Sequence, residues 1–216
     1  MSTYMHLYHK YLEKYKDVAE FTLQHLQKTA GNWPAEYHPW VLPEHRIEHT
    51  RLVLKNSLML AVNRKVDLDV VVLSAILHDV AFYSPKRKEH AEEGARIAEE
   101  YLTQHGYPND TVQKVVHAVK VHAGPLAFTP RSMEAKILQD ADTIDKVGPL
   151  AITTFLLHYG SKRMTPKQAV DEMKKDMPRR LRWYHRTMNT RQGKRIVSEG
   201  CTYIRTFMKK LEREMF

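Results

Sequence analysis

The chain has 216 residues, 43% of them hydrophobic and 27% charged, an ordinary globular mixture rather than a disordered one. Its formal net charge is +9, and residues 161–216 carry all of the excess, with 16 Lys/Arg against 6 Asp/Glu. A single cysteine, Cys201, excludes an intrachain disulfide and a thiolate zinc knuckle, and no apolar run reaches the roughly 18–20 residues of a bilayer span.

The opening Met1-Ser-Thr-Tyr-Met-His lacks the apolar stretch of a secretory signal, so a soluble, cytoplasmic protein is expected. Tyr11, Val18, Phe21, Leu23 and Leu26 fall near one stripe and predict a first helix to about Ala30, stopped by Gly31. The stretch from Asn32 to Pro43, with its prolines, Trp33 and Trp40, reads as a loop. A second helix runs from about Glu44 to Arg64 and carries His45, His49, Val53 and Leu60 at helical intervals. Asp67 is the expected N-cap of a third, from Leu68 to about Ala81. That segment is apolar on nearly every face, which predicts a buried central helix.

Beyond the basic loop Tyr83–Lys88, helices are expected at about His90–His105, closed by Gly106, and Asp110–His122, closed by Gly124. Another follows from Met133 to Lys146 with Ser132 as cap, then Leu150–Tyr159 after the break at Gly148-Pro149. Three more fit 165–177, 178–189 and 193–214. The reading is one all-α domain over 1–216, with basic C-terminal helices 161–216 packed on a core at about 44–160. The basic excess suits an anionic ligand as well as it suits a solvated helix face. No zinc finger, basic zipper or RNA-binding aromatic signature accompanies it, so nucleic acid is unsupported as a partner.

His78 and Asp79 stand out because they are adjacent polar residues in the most apolar helix. An ionised carboxylate in such a setting is costly unless it is paired or binds a metal. His45 and His49 share a face of the preceding helix, His90 opens the fourth, His122 closes the fifth, and Asp140, Asp142 and Asp145 lie close together. Imidazole and carboxylate without thiolate suit Mn, Fe, Co, Ni or Zn. Ligands spread over several helices suit a centre in a bundle core.

The series His49 … His78-Asp79 … Asp142 resembles the H…HD…D signature of the HD superfamily of metal-dependent phosphohydrolases. The blocks Ala-Ile-Leu-His78-Asp79-Val-Ala, His90-Ala-Glu-Glu-Gly94-Ala95 and Asp140-Ala-Asp142-Thr-Ile-Asp145 occur in the family's order. The resemblance implies an HD-type helical bundle with His49, His78, Asp79 and Asp142 as metal ligands, and His78 and Asp79 at the heart of catalysis. It also implies hydrolysis of a phosphomonoester, phosphoanhydride or phosphodiester in a nucleotide or other organic phosphate, through a water activated by a divalent ion (Mn, Fe, Mg, Co, Ni or Zn). His90 and His122, with His117 as a substitute for the latter, sit where some members hold a second metal. The expectation is one firmly bound ion, with these histidines lining the pocket.

Lys86, Arg87, Lys88 and Lys146 are candidate phosphate contacts. Asp145, three residues beyond Asp142, is a candidate to orient a ligand. Three rivals differ in chemistry. His45-Arg-Ile-Glu48-His49 fits the H-x-x-E-H pattern of zinc peptidases, but it leaves the HD and Asp-rich segments unexplained. A di-iron oxygenase uses the same six-residue set, and a nucleotide-sensing module uses the same pocket without turnover.

Overall fold

The structure, a computed structural model, describes residues 3–33, 42–85, 89–123 and 129–215. Its regular elements are helical: α1 (Thr3–Lys14), α2 (Lys16–Thr29), α3 (Pro43–Ala61), α4 (Leu68–Leu77) and α5 (His90–Gln104). They continue as α6 (Asn109–Val121), α7 (Met133–Ile144), α8 (Gly148–Ser161), α9 (Pro166–Thr187) and α10 (Arg191–Met215), and a 3₁₀ turn follows α2 at Ala30–Asn32. Most of the predicted loop before Pro43 and the predicted stop at Gly124 lie outside the described residues.

α4 is the centre. Asp67 caps it through bonds from the Asp69 and Val70 amides, and all residues from Val70 to Leu77 are buried. They pack on Val53, Leu54 and Leu58 of α3, Val115 and Val119 of α6, and Ile137 and Leu138 of α7 in one apolar cluster. Each such side chain, fully withdrawn from water, contributes roughly 1.5–3 kcal/mol before entropy is charged against it.

A second cluster joins Ile152 and Phe155 of α8, Met173, Met177 and Leu181 of α9, and Val197, Cys201 and Ile204 of α10. Ile144, at the end of α7, packs against both clusters. Asp140 ties the C-terminal helices down. It is fully buried on α7 and accepts bonds from the backbone amides of Asn189 and Thr190, both at 2.8 Å. α10 lies so close that a Cβ on Gly193 would sit 2.4 Å from Asp140 Oδ2, and one on Gly200 2.7 Å from Val147 Cγ2.

Some boundaries differ from the sequence reading. The expected first helix is two, broken at Tyr15, whose backbone leaves the helical region while its ring enters the core. The expected helices at 165–177 and 178–189 are the single α9, which runs through Pro178. Burial of Met173, Met177 and Leu181 outweighs the hydrogen bond that the proline removes. Thr165 and Gln168 start that helix with a reciprocal capping box.

The helix expected to reach Ala81 ends at Leu77, with His78 as its C-cap. Val80, Phe82 and Ser84 then bond to Leu77, Asp79 and Ala81 in successive i to i−3 steps. His78 and Asp79 therefore lie just past the helix rather than in its last turn, on a tight coil.

Candidate metal centre

Five elements deliver the site. His49 comes from α3, His78 and Asp79 from the coil after α4, His90 from the start of α5, His122 from the end of α6, and Asp142 from α7. α5 approaches through Gly94, where a Cβ would stand 3.5 Å from the His78 carbonyl oxygen. His49, His78, Asp79, His122 and Asp142 are all buried, and His90 is half-buried.

Hydrogen bonds to the far side of each ring fix its orientation. His78 Nδ1 donates to the Ala75 carbonyl at 2.8 Å, and His122 Nδ1 to the Val119 carbonyl at 2.7 Å. His49 Nδ1 donates to Asp145 Oδ2 at 2.6 Å. With the protons on Nδ1, the Nε2 lone pairs point inward. The Nε2 atoms of His49 and His78 come within 3.2 Å of each other, and two lone pairs at that distance repel unless a proton or a metal cation stands between them. This donor set therefore fits a divalent metal.

Asp79 is shared between two groups. Its Oδ2 lies 3.6 Å from His49 Nε2 and 3.5 Å from His78 Nε2. Its Oδ1 lies 3.7 Å from His90 Nε2 and 3.6 Å from His122 Nε2. Within each triad, His49–His78–Asp79 and Asp79–His90–His122, the donor atoms are all within 4.8 Å of one another.

Electrostatics point the same way. Burial opposes ionisation of Asp79, but His78 foremost, with His122 and Arg46, holds its carboxyl well below the usual range. Burial likewise pulls the His49 imidazole down, yet Asp145 and Asp142 outweigh it and raise it to about 9. A site that attracts a proton this strongly attracts a metal cation for the same Coulombic reason.

Asp142 lies beside the first triad, its Oδ1 3.2 Å from His49 Nε2, while both its oxygens meet Lys146 Nζ at 2.8 Å. Burial disfavours its charge, but Lys146 foremost keeps it ionised. Asp145 meets the His49 ring through its Oδ2. His117 is elsewhere, its Nε2 accepting from the Arg131 backbone amide at 3.1 Å. Lys86, Arg87 and Lys88 lie outside the described residues. His45, the first residue of the H-x-x-E-H pattern, lines the same cavity but belongs to neither triad.

One partner escaped the sequence reading. Arg46, buried on α3, donates to Asp79 Oδ2 at 3.1 Å and stacks on Phe82 with its guanidinium 4.3 Å from the ring centre. Its position three residues before His49, on the same helix face, was the available signal. Together these groups open into a cavity of about 410 Å³ whose far wall comes from α8 and α9.

An all-helical bundle with this His/Asp centre after its buried helix is an HD-type protein, and residues 46–146 match the HD domain family. That segment of the chain carries an HD domain. Its similarity to the uncharacterized protein YpgQ of Bacillus subtilis is 22% identity over 175 residues, covering 79% of this chain and 84% of that one. A solved HD-superfamily hydrolase from Bacillus thuringiensis superposes with a TM-score of 0.69 at 20% identity, covering 94% of this chain and 97% of its own. Bacillus subtilis YpgQ in complex with ADP gives a TM-score of 0.59 at 19% identity, covering 78% of this chain and 88% of its own. Among the described residues, no helix is long and apolar enough to cross a membrane.

Proposed function

We propose that this protein is a metal-dependent phosphohydrolase acting on a phosphomonoester, phosphoanhydride or phosphodiester of a nucleotide or other organic phosphate. The observation that carries the reading is the convergence of four imidazole Nε2 atoms, from α3, the coil after α4, α5 and the end of α6, on the two oxygens of Asp79. His49, His78, Asp79 and Asp142 would hold one divalent ion. Asp79, His90 and His122 offer a second set, which favours two ions over the single one expected from the sequence. A divalent ion bound there supplies Lewis acidity and brings the pKa of water towards roughly 7.

The chain's own residues do the rest. Asp145 holds His49 in the tautomer that presents Nε2, and the carbonyls of Ala75 and Val119 do the same for His78 and His122. Lys146 offsets the charge of Asp142 and stands at the cavity, where a substrate phosphate would meet it. The hydrolase name borne by the Bacillus thuringiensis relative favours hydrolysis over oxygenation or sensing, and the ADP bound by YpgQ favours a nucleotide.

The test is a phosphate-release screen over nucleotides, dinucleotides and phosphodiesters, repeated with Mn, Fe, Mg, Co, Ni and Zn. Metal-dependent release that is lost in a folded Asp79→Ala variant supports the reading. No release with any pair, or equal release by Asp79→Ala, overturns it.

A further inference from the structure

We infer that Arg180 and Tyr184, on α9, are substrate-contact residues that bind a phosphate group of the ligand from a wall of the metal-site cavity. The inference deepens the phosphohydrolase reading and rests on it. Both residues line the cavity that holds Asp79, His90, His122 and Lys146, yet both lie beyond residue 146, where the HD match ends. The family segment thus builds the centre, and helices outside it contribute lining to the same cavity.

Arg180 is poorly satisfied by the protein itself. Its Nε is buried with no hydrogen-bond partner, and its link to Asp176 Oδ2 is long, at 3.4 Å. The side chain is still 42% exposed, so the terminal guanidinium nitrogens remain within reach of a ligand. A planar guanidinium presents its two terminal nitrogens side by side, a spacing that matches two phosphate oxygens at once. One helical turn on, Tyr184 lines the same cavity, interacts with Arg180 and lies within electrostatic reach of Lys146.

The wall between them is apolar, formed by Leu52, Leu150, Ala151 and Phe155, which suits the organic body of the ligand rather than its charge. α9 is not free to drift. The turn that follows it is tied to Asp140, two residues from Asp142 on the same helix, so wall and centre are referenced to one element. The arrangement is a pocket with metal-site donors at one end, an apolar side and a second cationic point.

The experiment measures binding of ADP, AMP and adenosine to the full-length, Mn-loaded protein by calorimetry, in wild type and in Arg180→Gln, Arg180→Lys and Tyr184→Phe. Metal content and circular dichroism check that each variant is intact. Loss of a charged hydrogen bond predicts roughly tenfold to a hundredfold weaker ADP binding by Arg180→Gln. Arg180→Lys should recover part of it, and Tyr184→Phe should lose several-fold. Because the contact is to phosphate, adenosine binding should fall much less than ADP binding. A subsidiary packing role would weaken all three ligands alike, and that outcome overturns the inference. Unchanged ADP affinity in Arg180→Gln overturns it too, as does a wild type that binds neither phosphate compound. Phosphate release by the wild type is read separately. If ADP binding depends on Arg180 but nothing is hydrolysed, the pocket assignment stands and the hydrolase reading falls. If hydrolysis occurs and Arg180→Gln is indistinguishable from wild type, the reverse holds.

Discussion

Asp140→Ala should release the C-terminal helices from the HD core without touching a metal ligand. Asp140 is fully buried and accepts from the Asn189 and Thr190 amides at 2.8 Å and from the Asn189 side-chain amide at 3.1 Å. A hydrogen bond to a charged acceptor contributes about 1.5–3 kcal/mol, and alanine removes the two short ones while leaving their donors stranded. Relief of a buried charge offsets part of that loss. The expected destabilisation is about 3–5 kcal/mol, a large share of the 5–15 kcal/mol typical of a folded domain. Asp140→Asn keeps one acceptor oxygen but turns an NH₂ towards a backbone donor, so about half that loss is expected. Urea unfolding followed by circular dichroism gives the magnitude, and limited proteolysis around residues 187–191 reports where the structure opens. A loss below about 1 kcal/mol for Asp140→Ala, with an unchanged cleavage pattern, would refute the tether.

Asp145→Asn should weaken metal binding about 10–100-fold, since orienting partners of ligating histidines typically carry that much, and a competition titration with a chelating dye reads it directly. Arg163, at φ 54 after α8, adopts the left-handed conformation of a helix C-terminus, with the Met164 amide bonded to the Tyr159 carbonyl. Arg163→Gly should therefore raise stability by about 0.5–1 kcal/mol in urea melts. Burial foremost, with Arg46 and His49, lowers the His45 pKa from 6.5 to about 4. The unfolded chain then binds the extra proton first, so this contribution is complete above pH 6.5 and is lost as pH falls towards 4. In metal-free protein, wild type should lose on the order of 1–2 kcal/mol more than His45→Gln between pH 7.5 and 5, and parallel losses would contradict it.

Much of the centre could be read without coordinates because each of its residues breaks a local rule. A histidine and an aspartate amid eight buried aliphatic or small residues, and an acid repeated along α7, have no place in a simple apolar core. Gly106 also marks its helix end physically: it takes φ 73, and the Tyr107 and Gly106 amides return to Leu102 and Thr103. Other features depended on distant contacts. Nothing local says that helix α9 survives Pro178, because the stabilising partners lie on α8 and α10. Asp140 and Asp142 look alike in sequence, yet one faces the α9–α10 turn and the other faces His49. Arg180 and Tyr184 were legible only as part of a basic, amphipathic helix, since what they face is set by how that helix docks.

The central claim is that Asp79 organises a divalent metal site between two histidine pairs. Metal content per chain after equilibrium dialysis against Mn²⁺, in wild type, His90→Ala, His122→Ala and Asp79→Ala, tests it most directly. The account predicts about two ions in wild type, about one in each histidine variant, and almost none in a folded Asp79→Ala. A folded Asp79→Ala that retains the wild-type complement of metal would contradict it.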